Sequence, residues 1–170
     1  MTSGDLPLDI AAFRNEIAWG PVIDGFQAGL GFQEDRSKYR VGEKVGFYVY
    51  LRNAGRSSAS ISLRYNGEPL HLDGTTAAGD AADIQSTMLS LLPFPRSITL
   101  APGEHVILSS PELEIASQSK QTGFTTDLMV AKPGRYRLRC ERISNYLEDE
   151  SVPGRGELPT GQLRIDVTRA

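Results

Sequence analysis

Side chains that switch between apolar and polar at every second residue dominate this chain, in runs too brief for anything but strands. In "KVGFYVYLRN" Val45, Phe47, Val49 and Leu51 fall on one face, and Gly46, Tyr48, Tyr50 and Arg52 fall on the other. A step of two marks a strand with one side in a core, because successive side chains leave opposite sides of the pleat. The same step links Phe26, Ala28, Leu30 and Phe32, then Ala59, Ile61, Leu63 and Tyr65, and later Leu163, Ile165 and Val167. Turn residues cut the runs apart in "NAGRSS" and "YNGEP", where Gly and Asn accept the backbone angles that a reversal needs. "SITLAPGEHVILSS" and "DLMVAKPGRYRLRCERI" each read as strand, Pro-Gly turn, strand. "IQSTMLSLLPFP" fits a strand or a short helix and is stopped by its prolines. "DGTTAAGDAAD" reads as a small, polar, exposed loop, and so do residues 144–160.

The stretch "WGPVIDGFQAGLGFQ" carries Gly20, Gly25, Gly29 and Gly31 beside the only tryptophan. A glycine loop that cradles phosphate is followed by a helix N-terminus. Here a polar turn and another strand follow instead. The glycines are therefore expected to serve packing, by bulge, twist or close backbone approach. Trp19 is expected to pack near the start of the sheet.

About eight or nine short strands without a convincing helix between them predict an all-β chain, an antiparallel immunoglobulin-like β-sandwich. Residues 1–18 are read as an N-terminal arm or short helix, with Ile10, Phe13 and Ile17 at roughly helical spacing, and residues 19–170 as the sandwich domain. The 170 residues are 39% hydrophobic and 23% charged, enough for a core without staples. Cys140 is the single cysteine, so no internal disulfide forms. A net charge of −3 points away from nucleic acid and anionic membranes. No apolar run reaches the roughly 20 residues of a membrane helix. The first residues lack the pattern of a signal peptide, which leaves the compartment open, including an extracytoplasmic one if the chain is cut from a longer parent.

Reaction chemistry finds little support. A zinc site would need His71, His105 and Cys140 to meet from distant positions, and both histidines read as surface residues. Cys140 shares a face with Tyr136 and Leu138 and is expected in the core. No G-x-S-x-G elbow is present, and Glu148, Asp149 and Glu150 lack the spacing of calcium ligands. No catalytic residue, metal or cofactor is expected. The best functional clue is a partner-binding face. Arg135, Arg137 and Arg139 line the polar side of their strand with Glu141, and Arg52 and Arg64 join them if their strands are neighbours. Tyr48 and Tyr50 are expected to add an outward aromatic component. Guanidinium forks bind carboxylates, and Tyr with Arg is the composition that protein interfaces favour. The expected partner is another protein, acidic in character, or other domains of a longer chain.

In order along the chain, "WGPVIDGFQAGLGF", "YRVGEKVGFYVYLRNAG", "ITLAPGE", "PGRYRLRC" and "LPTGQLRIDV" resemble an immunoglobulin-like β-sandwich module of poorly characterised bacterial proteins. That module is often appended to zinc metallopeptidases of the β-lactam-sensor type and to secreted or membrane-anchored proteins. The resemblance spans about residues 19–168 and implies a non-catalytic accessory domain or small subunit. The peptidase signature H-E-x-x-H is absent. The Asn-Gly-closed second strand, the "L-x-PGE" turn and the late "G-x-Y" strand are also similar, more loosely, to the intracellular proteinase inhibitor family. That alternative implies an exposed inhibitory loop, for which "LLPFPRSI" and "EDESVPGRGELP" are the candidates.

Overall fold

The longest alternating run becomes the strand on which three others are built. The structure is a computed structural model that describes residues 16–63, 72–85, 96–109, 112–117, 127–140 and 158–169. Along these residues run β1 (Ala18–Trp19), β2 (Phe26–Phe32), β3 (Lys38–Arg40), β4 (Lys44–Asn53), β5 (Ala59–Leu63), β6 (Leu72–Thr76) and β7 (Asp83–Gln85). There follow β8 (Arg96–Leu100), β9 (His105–Ser109), β10 (Glu112–Ala116), β11 (Asp127–Val130), β12 (Gly134–Cys140) and β13 (Leu163–Thr168). No helix occurs among the described residues, and hence none there is long and apolar enough to cross a membrane. The part of the N-terminal arm before Glu16 lies outside the described residues, and strand pairing begins at Ala18, opposite Leu30.

β4 pairs with β2 from Phe26 opposite Asn53 to Phe32 opposite Phe47. On its other edge β9 covers the second half and β10 the first. The first sheet runs β1-β2-β4-β10-β11-β7, with β9 beside β4. The second runs β3-β13-β12-β6, and β5 with β8 forms a separate pair. The alternation places Val45, Phe47, Val49 and Leu51 of β4 in the same core as Tyr136, Leu138 and Cys140 of β12 and Ile165 and Val167 of β13. This is the expected all-β sandwich-like arrangement. It contains more strands than alternation reveals, because β1, β3 and β7 are only two or three residues long. Two pairings, β10 with β11 and β13 with β3, are parallel. Tyr136 donates its hydroxyl hydrogen to the Lys132 carbonyl at 2.6 Å, the upstream backbone tie found at a strand corner in immunoglobulin-like sandwiches.

The segment "DGTTAAGDAAD" is exposed over residues 77–81, as its composition implies, but it is not a loop throughout. It holds most of β6, a reversal closed by Thr76 N–H to Asp80 O at 2.8 Å, and the start of β7. Pairing with β12 forms this strand, not apolar content of its own. At Gly74 a β-carbon would lie 2.8 Å from a Leu138 methyl, so the small residue lets the core approach. "IQSTMLSLLPFP" begins as strand at Ile84, and residues 86–95 lie outside the described residues.

Neither Pro-Gly turn makes a hairpin. β8 pairs with β5 while β9 joins β4, and β11 and β12 belong to different sheets. The first crossing is held by Asn53, which is 2% exposed. Its side-chain amide donates to Ser57 O at 2.8 Å and Leu100 O at 2.9 Å, and its side-chain oxygen accepts from Gly55 N–H at 2.9 Å. Its backbone N–H donates to Glu104 O, and its carbonyl accepts from Gly103 N–H at 2.7 Å. Gly103 holds φ 79°, which favours glycine. Buried partners left unsatisfied cost about 1–3 kcal/mol each. Asn53→Ala is therefore expected to lower unfolding free energy by about 2–4 kcal/mol, read as a shift of the urea midpoint.

Candidate protein-binding face

β4 and β12 turn their apolar sides to one core from different sheets. Their outward sides therefore look in opposite directions. Tyr48 and Tyr50 lie on one outer face and Arg135, Arg137 and Arg139 on the other, so the five expected residues do not meet. Alternation tells which side of its strand a residue takes, but not which sheet the strand joins. Arg52 goes with the tyrosines, while Arg64, Glu141 and His71 lie outside the described residues.

The tyrosine side is packed. Trp19 reaches across β2 to Tyr50, with ring centroids 6.1 Å apart, and to His105 at 5.6 Å. A β-carbon at Gly29 would lie 2.8 Å from the indole, and one at Gly31 would lie 3.1 Å from the Tyr50 ring. Those two glycines let the rings lie against the sheet. Arg52 covers the indole, its guanidinium carbon 4.1 Å from the ring centre, and is held by the Gln27 side-chain oxygen. Trp19 thus packs as expected. Tyr50 does not present the outward aromatic surface read from the sequence: it is 2% exposed. Burial, helped by neighbouring Tyr48, pushes its phenol up to about 12.

His105 is likewise not a plain surface residue. It is half-buried beside Trp19 and Tyr50, and its Nε2 has no hydrogen-bond partner among the described residues. Burial, followed by the charge of Arg52, lowers its pKa, while Glu104 works weakly against them. The unfolded chain therefore takes up the imidazole proton first. The resulting stability is present above the ordinary imidazole value of about 6.5 and is lost as pH falls through and below it. The urea midpoint of the native chain is expected to fall between pH 7.5 and 5.5 by more than that of His105→Phe. Equal decreases in the two proteins would contradict this account.

The arginine side is open. Arg135 and Arg137 are exposed and Arg139 is half-buried, while Tyr136, Leu138 and Cys140 point into the core. Directly paired residues share a face. Arg135 stands opposite Asp166, and Arg137 stands opposite Arg164 on one neighbour and Thr75 on the other. Arg139 stands opposite Asp73, Lys38 opposite Asp166 and Arg40 opposite Thr168. Among the described residues, Lys38, Arg40, Arg135, Arg137, Arg139 and Arg164 thus share the paired positions of this face with two carboxylates, Asp73 and Asp166. Asp166 is approached by Arg135 at 3.6 Å and Arg164 at 3.9 Å. Such loose pairs between well-exposed arginines contribute about 0–1 kcal/mol, so they hold the guanidinium groups weakly.

Beside β6 this face sinks into a basin of about 270 Å³. Thr75, Arg137, Arg139 and Gln162 supply its donors, and Ala81, Ala82 and Ile84 supply its apolar part. A larger hollow of about 530 Å³ near β1, β3 and β13 sets Glu16 and Asp35 against Arg36 and Arg164, so its charges balance. Among the described residues no three His, Cys, Asp or Glu side chains gather as a metal site would require. Cys140 is 1% exposed. Of the candidate inhibitory loops, residues 91–95 and 148–157 lie outside the described residues.

Sequence reasoning missed Lys38, Arg40, Arg164 and Asp166 because their role depends on which strands pair. The one available signal was the polar side of "LRIDV", where Arg164 and Asp166 alternate with Leu163, Ile165 and Val167.

No protein-family model matches the chain, and no curated protein matches it in sequence. Among solved structures it is similar to a CARDB domain from Pyrococcus furiosus in complex with di-metal ions, at 11% identity and TM-score 0.39, over 86% of this chain and 90% of that one. It is also similar to a β-glucosidase from Erythrobacter marinus, at 14% identity and TM-score 0.33 over 91% of this chain. A β-glucosidase from Listeria innocua in complex with glucose is similar at 13% identity and TM-score 0.33 over 84% of this chain. The chain spans 16% of the length of each glucosidase. At these scores the superpositions are too loose to carry metals, sugars or activities over to this chain.

Proposed function

We propose that the chain is a non-catalytic β-sandwich interaction module that docks an acidic segment of another protein on the outer face of β3, β13, β12 and β6. The observation that carries this reading is charge segregation. A chain of net charge −3 gathers, among the described residues, six cationic side chains on one sheet face with two carboxylates among them. Such a face attracts anions over several ångströms and steers encounter. Exposed guanidinium forks then hold carboxylates in register. The burial of Cys140 and the enclosure of His105 support a binding role over a catalytic one. An accessory place in a larger assembly accords with the resemblance of residues 19–168 to modules appended to other proteins.

An acidic peptide is expected to bind at low salt and to weaken as salt rises. The double variant Arg135→Glu/Arg137→Glu is expected to bind it about tenfold or more weakly, which corresponds to about 1.4 kcal/mol. Both side chains are exposed, so the circular-dichroism spectrum and urea midpoint should stay close to native. Unchanged affinity in the double variant, measured by fluorescence anisotropy, would remove the proposal.

A further inference from the structure

We infer that the basin beside β6 is a pocket for one glutamate side chain, the anchor of the acidic segment; this rests on the docking reading above and narrows it. Charge is the first argument. Among the described residues the basin is lined by Arg137, Arg139 and one carboxylate, Asp73. Asp73 stands opposite Arg139, whereas Arg137 stands between Thr75 and Arg164 and has no carboxylate across either ladder. One incoming carboxylate therefore brings the lining to neutrality, and a dianion such as a phosphate would overshoot it beside Asp73.

Donor chemistry is the second argument. The Arg137 guanidinium offers a planar fork, and Thr75 and Gln162 add a hydroxyl and an amide donor. Size is the third. At about 270 Å³ the basin lies at the lower edge of the range of about 300–1,000 Å³ usual for small-molecule ligands, so a glutamate side chain enters it with room to spare. The last argument is the apolar part. Ala81, Ala82 and Ile84 offer surface to an aliphatic stem that ends in the charge. Glutamate has one methylene more than aspartate, and a buried methylene is worth about fourfold in affinity.

The test titrates the full chain with two capped, fluorescein-labelled peptides, octaglutamate and octaaspartate, which carry equal charge. The native chain is expected to bind octaglutamate about fourfold more tightly. Filling the basin with Ala82→Leu, or removing its fork with Arg137→Gln, is expected to bring that ratio to about one while both peptides still bind the remaining face. Arg137 is exposed, so its variant keeps the test open should Ala82→Leu fail to fold. A native ratio of one, or a ratio that survives Arg137→Gln, overturns the pocket and leaves the docking face standing. Binding of neither peptide at low salt overturns both.

Discussion

Asn53 sits where water does not reach, and three stretches of backbone converge on it, two of them on its side-chain amide. It closes β4, ties the 55–57 turn to the end of β8, and through its own backbone receives the Pro-Gly turn that leads into β9. An apolar side chain at this place could fill the space but could not satisfy the groups that meet there. β8 and β9 part company at this point, β9 joining β4 and β8 pairing with β5. The rest of the first sheet is then ordered by β4, which pairs with β2, β9 and β10.

The two outer faces of the sandwich have been given opposite fates by small differences in side-chain size. On the first sheet, glycine at positions 29 and 31 lets an indole and a phenol settle against the backbone, and Arg52 closes over them. That face is consumed by packing. On the second sheet, neighbouring long cations cannot pack against one another. They extend outward past the few carboxylates available. Arginine thus closes over an aromatic cluster in one place and stands in an open ladder in the other.

The β-strands and their inward faces were legible in the sequence because the period of two is enforced by the core. Val45 to Leu51 and Tyr136 to Cys140 point where the alternation sends them. Gly20, Gly29 and Gly31 of the opening stretch were legible as packing residues, whereas Gly25 takes φ 86° in the turn before β2. At Gly20 a β-carbon would fall 1.9 Å from the Pro159 carbonyl oxygen, where the N-terminal strand crosses the segment before β13. Strand partnership was not legible, since nothing local in "PGRYRLRC" says that β13 and β6 flank it. The reading that joined Tyr48 and Tyr50 to the arginines went astray for this reason. β6 was hidden for a related one: its pairing lies in backbone groups that every sequence shares, and its side chains are small.

The parallel pairing of β3 with β13 joins Lys38 to Asp166 across most of the chain. On a ribosome, Lys38 emerges long before its partner exists. β2 and β4 are close in sequence and can pair early, whereas β3 must wait for the final strand, at a high cost in chain-closure entropy. The cationic ladder is therefore a late product of folding. A nascent or truncated chain that has built the first sheet still lacks the cationic surface, which comes only with the second layer.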